Sequence, residues 1–86
     1  MAVYLVSYDL LNHKTFGQYE ELTKELEGLG AKKVLYSEWV LRSTEDALTL
    51  CKRLLKFMHR DDRILVTAVD FANTALLNLM TDINHI

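Results

Sequence analysis

The sequence predicts an α+β domain with the element order β-α-β-β-α-β. Two strongly apolar runs, one near each end of the chain, read as strands rich in β-branched and aliphatic residues. Between them, two segments repeat their apolar residues at three- and four-residue steps, the spacing of one helix face. The stretch separating those segments, "KKVLYSEWVLRS", is too long and uninterrupted for a single strand of the usual five or six residues.

The first strand spans Ala2 to Tyr8, with Val3, Tyr4, Leu5, Val6 and Tyr8 apolar or aromatic. Both parities are apolar, so the reading is a central strand buried on both faces. A turn follows over Leu11 to Thr15. The first helix runs from about Phe16 to Leu29, with Phe16, Tyr19, Leu22, Leu26 and Leu29 on one stripe and a mainly acidic opposite side. Thr15 followed by Gln18 resembles a capping box, and Gly28 and Gly30 offer left-handed conformations at the exit.

Two short strands come next, Lys33 to Tyr36 and Trp39 to Arg42, divided near Ser37-Glu38; one strand with a bulge there is the alternative. The second helix spans about Thr44 to Met58, capped by Ser43 or Thr44, with Glu45 and Asp46 set well against its N-terminal dipole. Its predicted buried stripe is Ala47, Leu50, Cys51, Leu54, Leu55 and Met58. "HRDD" makes the next turn, "RILVTAV" the last strand, and a short C-terminal helix is expected over Ala72 to Thr81.

This order is the ferredoxin-like plan, a four-stranded antiparallel sheet with both helices on one face. The first and last strands, the most apolar, are expected to pair at its centre. The face without helices then needs a cover, because monomers rarely leave large apolar patches open. Tyr4 or Tyr8, with Trp39 or Val40, is expected on that face, with Tyr4, Tyr8 and Trp39 as the interface residues and core as the other reading of Trp39; the cover is assigned to a second copy of the chain, giving a homodimer packed sheet against sheet.

Bulk composition narrows the class. Eighty-six residues suit one domain, and 50% hydrophobic with 26% charged residues is globular composition. No apolar run approaches the length of a membrane helix, and the N-terminus lacks a signal-peptide pattern, so no membrane association is expected. One cysteine, Cys51, gives neither an internal disulfide nor a zinc finger and fits a reducing, cytoplasmic setting. A net charge of -2 argues against a broad non-specific nucleic-acid binder, while leaving room for a local patch. Phosphate-binding loops, Ser-His-Asp order and HExxH are missing, so no cofactor is predicted from motifs.

"YLVSYDL", a helix ending in glycine, "GAKKVLYSEWVL", a polar "RSTEDA" leading into a helix and a final "ILVTAV" strand together resemble a known family. It is the small CRISPR-associated adaptation endonucleases of ferredoxin-like fold, with the related virulence-associated D-type toxins. Tyr8-Asp9 matches the family's Tyr-Asp at the end of the first strand, and Ser37 and Trp39 match its Ser-aromatic pair with one residue displaced. The resemblance covers roughly residues 2 to 69. It implies a symmetric dimer in which Asp9 of each subunit approaches the axis and shares Mg²⁺ for phosphodiester hydrolysis in RNA or DNA. The turn after Asp9, "LLNHK", lacks the arginine-rich character such a role would favour.

Candidate site residues follow. Asp9 is either a metal ligand and catalytic residue or the former of an end-of-strand turn. His13 and Lys14 are candidates for phosphate contact or for an acid; the other reading of both is a solvated loop position. Lys52, Arg53, Lys56 and Arg60, with His59, form a basic cluster that either holds a nucleic-acid backbone or complements the helix dipole. Two functions remain: a non-catalytic dimeric module that binds a protein or nucleic acid, and a metal-dependent nuclease using Asp9.

Overall fold

A computed structural model describes residues 1–11 and 16–80, the side chains of residues 16–18 excepted. Its elements run β1 (Ala2–Asp9), α1 (Phe16–Gly28), β2 (Lys32–Leu35), β3 (Glu38–Ser43), α2 (Ala47–Leu55), β4 (Arg63–Ala68) and a 3₁₀ turn (Phe71–Asn73). The four strands form one antiparallel sheet in the order β2-β3-β1-β4, which is the ferredoxin-like arrangement. The expected capping box at Thr15–Gln18 and the turn residues 12–15 lie outside the described residues.

Local chemistry sets the element ends. Gly30 adopts φ 81°, and the N–H groups of Gly30 and Ala31 donate to the carbonyls of Glu27 and Leu26, both at 3.0 Å. This paired exit closes α1 in a Schellman motif, for which glycine's freedom at positive φ is needed. The cap of α2 falls later than the sequence reading placed it. Ser43 Oγ accepts from Glu45 N–H at 3.0 Å and ends β3 instead, while Asp46 caps the helix by accepting from Thr49 N–H at 2.8 Å. That bond from Thr49 holds the Asp46 carboxyl below the usual carboxylate range.

"KKVLYSEWVLRS" is a hairpin that turns at Tyr36-Ser37, with a bulge between Lys33 and Leu35 inside β2. The two-strand reading therefore holds, and the single strand bulged at Ser37-Glu38 does not: that point is the hairpin turn, and the bulge lies inside β2.

Strand parity divides the side chains. Tyr4, Val6 and Tyr8 of β1 and Trp39 and Leu41 of β3 face the helices, where they pack with Leu22 and Leu26 of α1 and Leu50 and Leu54 of α2. Fully burying a leucine stabilises by about 1.5–3 kcal/mol, so this cluster is the main source of fold stability. Leu55, assigned to the buried stripe of α2, is exposed, and Cys51 is half-buried with a free thiol.

The open face carries Val3 and Leu5 of β1, Val34 of β2 and Val40 of β3. It is covered in part by the chain itself. Val69 N–H donates to Val3 O at 2.8 Å, Asp70 caps the 3₁₀ turn, and the chain then crosses to β2, where Met80 N–H donates to Val34 O at 2.9 Å. Leu79 packs on the Val3, Val34 and Val40 cluster. The expected C-terminal helix does not form over the described residues: Phe71–Asn73 is a single 3₁₀ turn and residues 74–80 are irregular. A short isolated helix is marginal, whereas an apolar sheet face and a free carbonyl on β2 stabilise an extended crossing.

The sheet centre also differs from expectation. β1 and β4 do pair, but β3 takes the second central position and β4 lies at an edge. Leu65 of β4 is accordingly 57% exposed.

Candidate functional site

Asp9 stands at the end of β1 on the open-face parity, directly across the ladder from Arg63 at the start of β4. Arg63 Nη1 and Asp9 Oδ2 lie 3.9 Å apart, with both side chains mostly exposed. A pair of this kind contributes about 0–1 kcal/mol. Two residues back, Ser7 Oγ donates to Glu38 Oε1 at 3.2 Å across the β1–β3 ladder. Ser7, Asp9, Arg63 and Leu65 line a shallow recess at this end of the sheet. Among the described residues, no three His, Cys, Asp or Glu side chains come together as a set that could hold a metal ion.

Tyr8 points the other way. Its hydroxyl accepts a hydrogen bond from Trp39 Nε1 at 2.9 Å inside the helix-facing core. Burial pushes the Tyr8 phenol up, and the bond from Trp39 offsets part of that. Tyr4, Tyr8 and Trp39 are thus core residues beneath the helices, which bears out the core reading of Trp39 and overturns the interface assignment; of the residues named for the uncovered face, Val40 lies on it. Either parity of β1 is apolar enough to be core, and the Trp39–Tyr8 bond marks the face that the helices took.

The basic residues do not form one continuous track. Arg53 of α2 is bonded to Glu45, which precedes the Asp46 cap of that helix. Arg60 Nε lies 4.0 Å from Asp61 Oδ1 in the turn before β4. Lys52 on α2 and Lys56 at its C-cap are exposed. His13 and Lys14 lie outside the described residues. Ser37 sits exposed in the hairpin turn, and its carbonyl accepts from Tyr8 N–H at 3.1 Å.

Sequence reasoning missed Asp62. Its carboxylate accepts from Leu11 N–H and His59 N–H, both at 2.8 Å, and from Tyr19 Oη at 3.0–3.1 Å. One side chain thereby ties the segment after Asp9 and the helix α1 to the turn that launches β4. Desolvation opposes its ionisation, but the bonds from Leu11, His59 and Tyr19 together prevail and hold its carboxyl below the usual range. The only sequence signal was local. His59 and Asp62 bracket a tight turn, in which Asp62 N–H also donates to His59 O at 2.9 Å.

Fold and site together define a small ferredoxin-like α+β domain with an exposed strand-end carboxylate and a partly covered apolar sheet face. No family model matches the chain. Among the described residues, no helix is long and apolar enough to cross a membrane.

Proposed function

We propose that this chain is a non-catalytic dimeric module of ferredoxin-like fold, related to the CRISPR-associated adaptation nucleases, that binds a protein or nucleic-acid partner. The observation that carries the reading is the state of Asp9. It is an exposed ladder residue opposite Arg63, and each chain contributes this carboxylate without a neighbouring set of metal ligands among the described residues. A cationic guanidinium facing the carboxylate competes with a divalent ion for the same oxygens. The surface chemistry favours protein over nucleic acid as the partner. Arg53 and Arg60 are already beside acidic groups, while Leu65, Phe71, Leu76, Leu77 and Met80 are exposed apolar residues on β4 and the crossing segment.

The alternative is a metal-dependent endoribonuclease or endodeoxyribonuclease. The accessibility of Asp9 supports it, since two copies meeting at an axis could supply two carboxylates, and Mg²⁺ needs only one or two while keeping several waters. In that case the metal would polarise phosphate oxygens and activate a water.

Cleavage of labelled single- and double-stranded RNA and DNA, with Mg²⁺ or Mn²⁺ and with EDTA, separates the readings. The expected result is no metal-dependent cleavage that distinguishes wild type from Asp9→Ala. Cleavage abolished by EDTA and by Asp9→Ala would replace the binding module with the nuclease. The same variant is expected to unfold in urea within about 1 kcal/mol of wild type, as suits an exposed pair.

A further inference from the structure

The two edges of the sheet are built differently. The β2 edge carries Lys32 and Lys33, is broken by a bulge, and has its Val34 carbonyl taken by Met80 N–H. Charges, bulges and covering segments are the usual ways a sheet edge is protected from pairing with another chain. Among the described residues, β4 has none of them along its length: its register is unbroken and its sequence, "RILVTA", has no proline and no charge beyond Arg63 at its first residue.

Hydrogen-bond parity shows which groups this edge offers. Val69 N–H donates to Val3 O, and antiparallel ladders alternate bonded and non-bonded pairs. The odd residues Arg63, Leu65 and Thr67 therefore direct their backbone groups to Asp9, Ser7 and Leu5. The bond from Tyr8 N–H to Ser37 O fixes the same parity independently, since it assigns the even residues of β1 to β3. It follows that Ile64, Val66 and Ala68 direct their N–H and C=O groups outward, away from the sheet.

Resting on the dimeric reading above, we infer that the occupant of this edge is the β4 strand of a second copy, paired antiparallel about Val66 to make one continuous sheet. The strand is complementary to itself in that register. Val66 bonds the partner's Val66, Ile64 bonds the partner's Ala68, and Ala68 bonds the partner's Ile64. Side-chain faces match, because each pair joins residues of like parity. Leu65, exposed in the single chain, then lies against the partner's Thr67 on the open face. Charge agrees as well: Arg63 comes to the end of the second strand where the partner's Asp70 follows, and the two Arg63 side chains stay at opposite ends. This geometry also separates the two Asp9 carboxylates by about 20 Å along the strands, at about 3.4 Å per residue, so they cannot share a metal. The edge pairing and the non-catalytic reading are thus the same arrangement seen from two sites.

Sedimentation of the full chain and of two variants tests it. Ala68→Pro removes an outward N–H that β1 does not use and puts a ring where the second strand would lie, which an edge strand tolerates. Leu65→Lys sets a charge on the exposed side of the pair. The expected result is a dimer of the 10.0 kDa wild-type chain and loss of that dimer in both variants, with far-UV circular dichroism unchanged. If Ala68→Pro fails to fold, Leu65→Lys decides alone. A dimer surviving in the folded variants overturns the edge pairing and leaves the dimeric reading standing on another surface. A wild-type monomer at every concentration overturns both.

Discussion

Trp39→Ala is expected to lower the stability of the domain by about 3–5 kcal/mol, the range for removing a large aromatic from a close-packed core. Trp39 is 5% exposed and packs with Tyr4, Val6, Leu22 and Leu41 on the helix side of the sheet. Its indole N–H is also the donor to Tyr8 Oη. A loss of this size is a large share of the roughly 5–15 kcal/mol that holds a typical small domain together. Urea unfolding followed by far-UV circular dichroism measures it. The measurement also separates two roles for this residue. A tryptophan that stacks a base or forms a dimer face would leave the monomer's unfolding midpoint nearly unchanged when removed, so a shift below about 1 kcal/mol would return Trp39 to the surface. Tyr8→Phe isolates the polar half of the contact. It preserves the ring and leaves the indole N–H without its acceptor, at an expected cost of about 1–3 kcal/mol.

The sequence carried the element order well, because helical periodicity is a local property. Leu22 and Leu26, and Leu50 and Leu54, fall on their predicted stripes and are buried. What it could not carry was any choice between two equally apolar options. β1 is apolar on both parities, so nothing local said whether Tyr4 and Tyr8, or Val3 and Leu5, would meet the helices. β4 reads as apolar as β1, yet the number of neighbouring strands is a property of the whole sheet, and among the described residues β4 received one. In the tail, Ala75, Leu76, Leu79 and Met80 fit a helix stripe, but they also fit a segment laid across an apolar face. The open face, which only the assembled sheet creates, decided between them.

The candidate site divides along the same line. Asp9 was legible as a strand-end carboxylate, since an apolar run that stops at an aspartate is a local pattern. Its partner Arg63 was not, because the pairing depends on the β1–β4 register, between residues far apart in the chain. Asp62 was the hardest to see. Two adjacent aspartates after His-Arg look interchangeable in sequence, yet Asp61 is mostly exposed beside Arg60 while Asp62 gathers donors from two distant segments.

That difference between the two aspartates is measurable. Asp62→Asn is expected to destabilise the domain by about 1–2 kcal/mol at neutral pH, toward the lower end for a charged hydrogen-bond acceptor because the group is partly exposed to solvent. The amide keeps one oxygen for Leu11 and Tyr19, but presents an N–H₂ to the His59 N–H, which is itself a donor. The pH dependence has a defined sign. Because the folded-state pKa of Asp62 lies below its unfolded value, the folded chain favours the ionised form. Its contribution is therefore fully present above the unfolded pKa of about 4 and fades as the pH falls through the depressed folded value. The gap between wild type and Asp62→Asn should thus be widest at neutral pH and narrow on acidification, whereas Asp61→Asn should give little gap at either pH. Urea midpoints for the three proteins at neutral and acidic pH make the comparison. The absence of any Asp62→Asn deficit at neutral pH would show that the segment after Asp9 is held by packing rather than by the Asp62 carboxylate. The three-way tie between Leu11, Tyr19 and His59 would then be a consequence of the fold and not one of its supports.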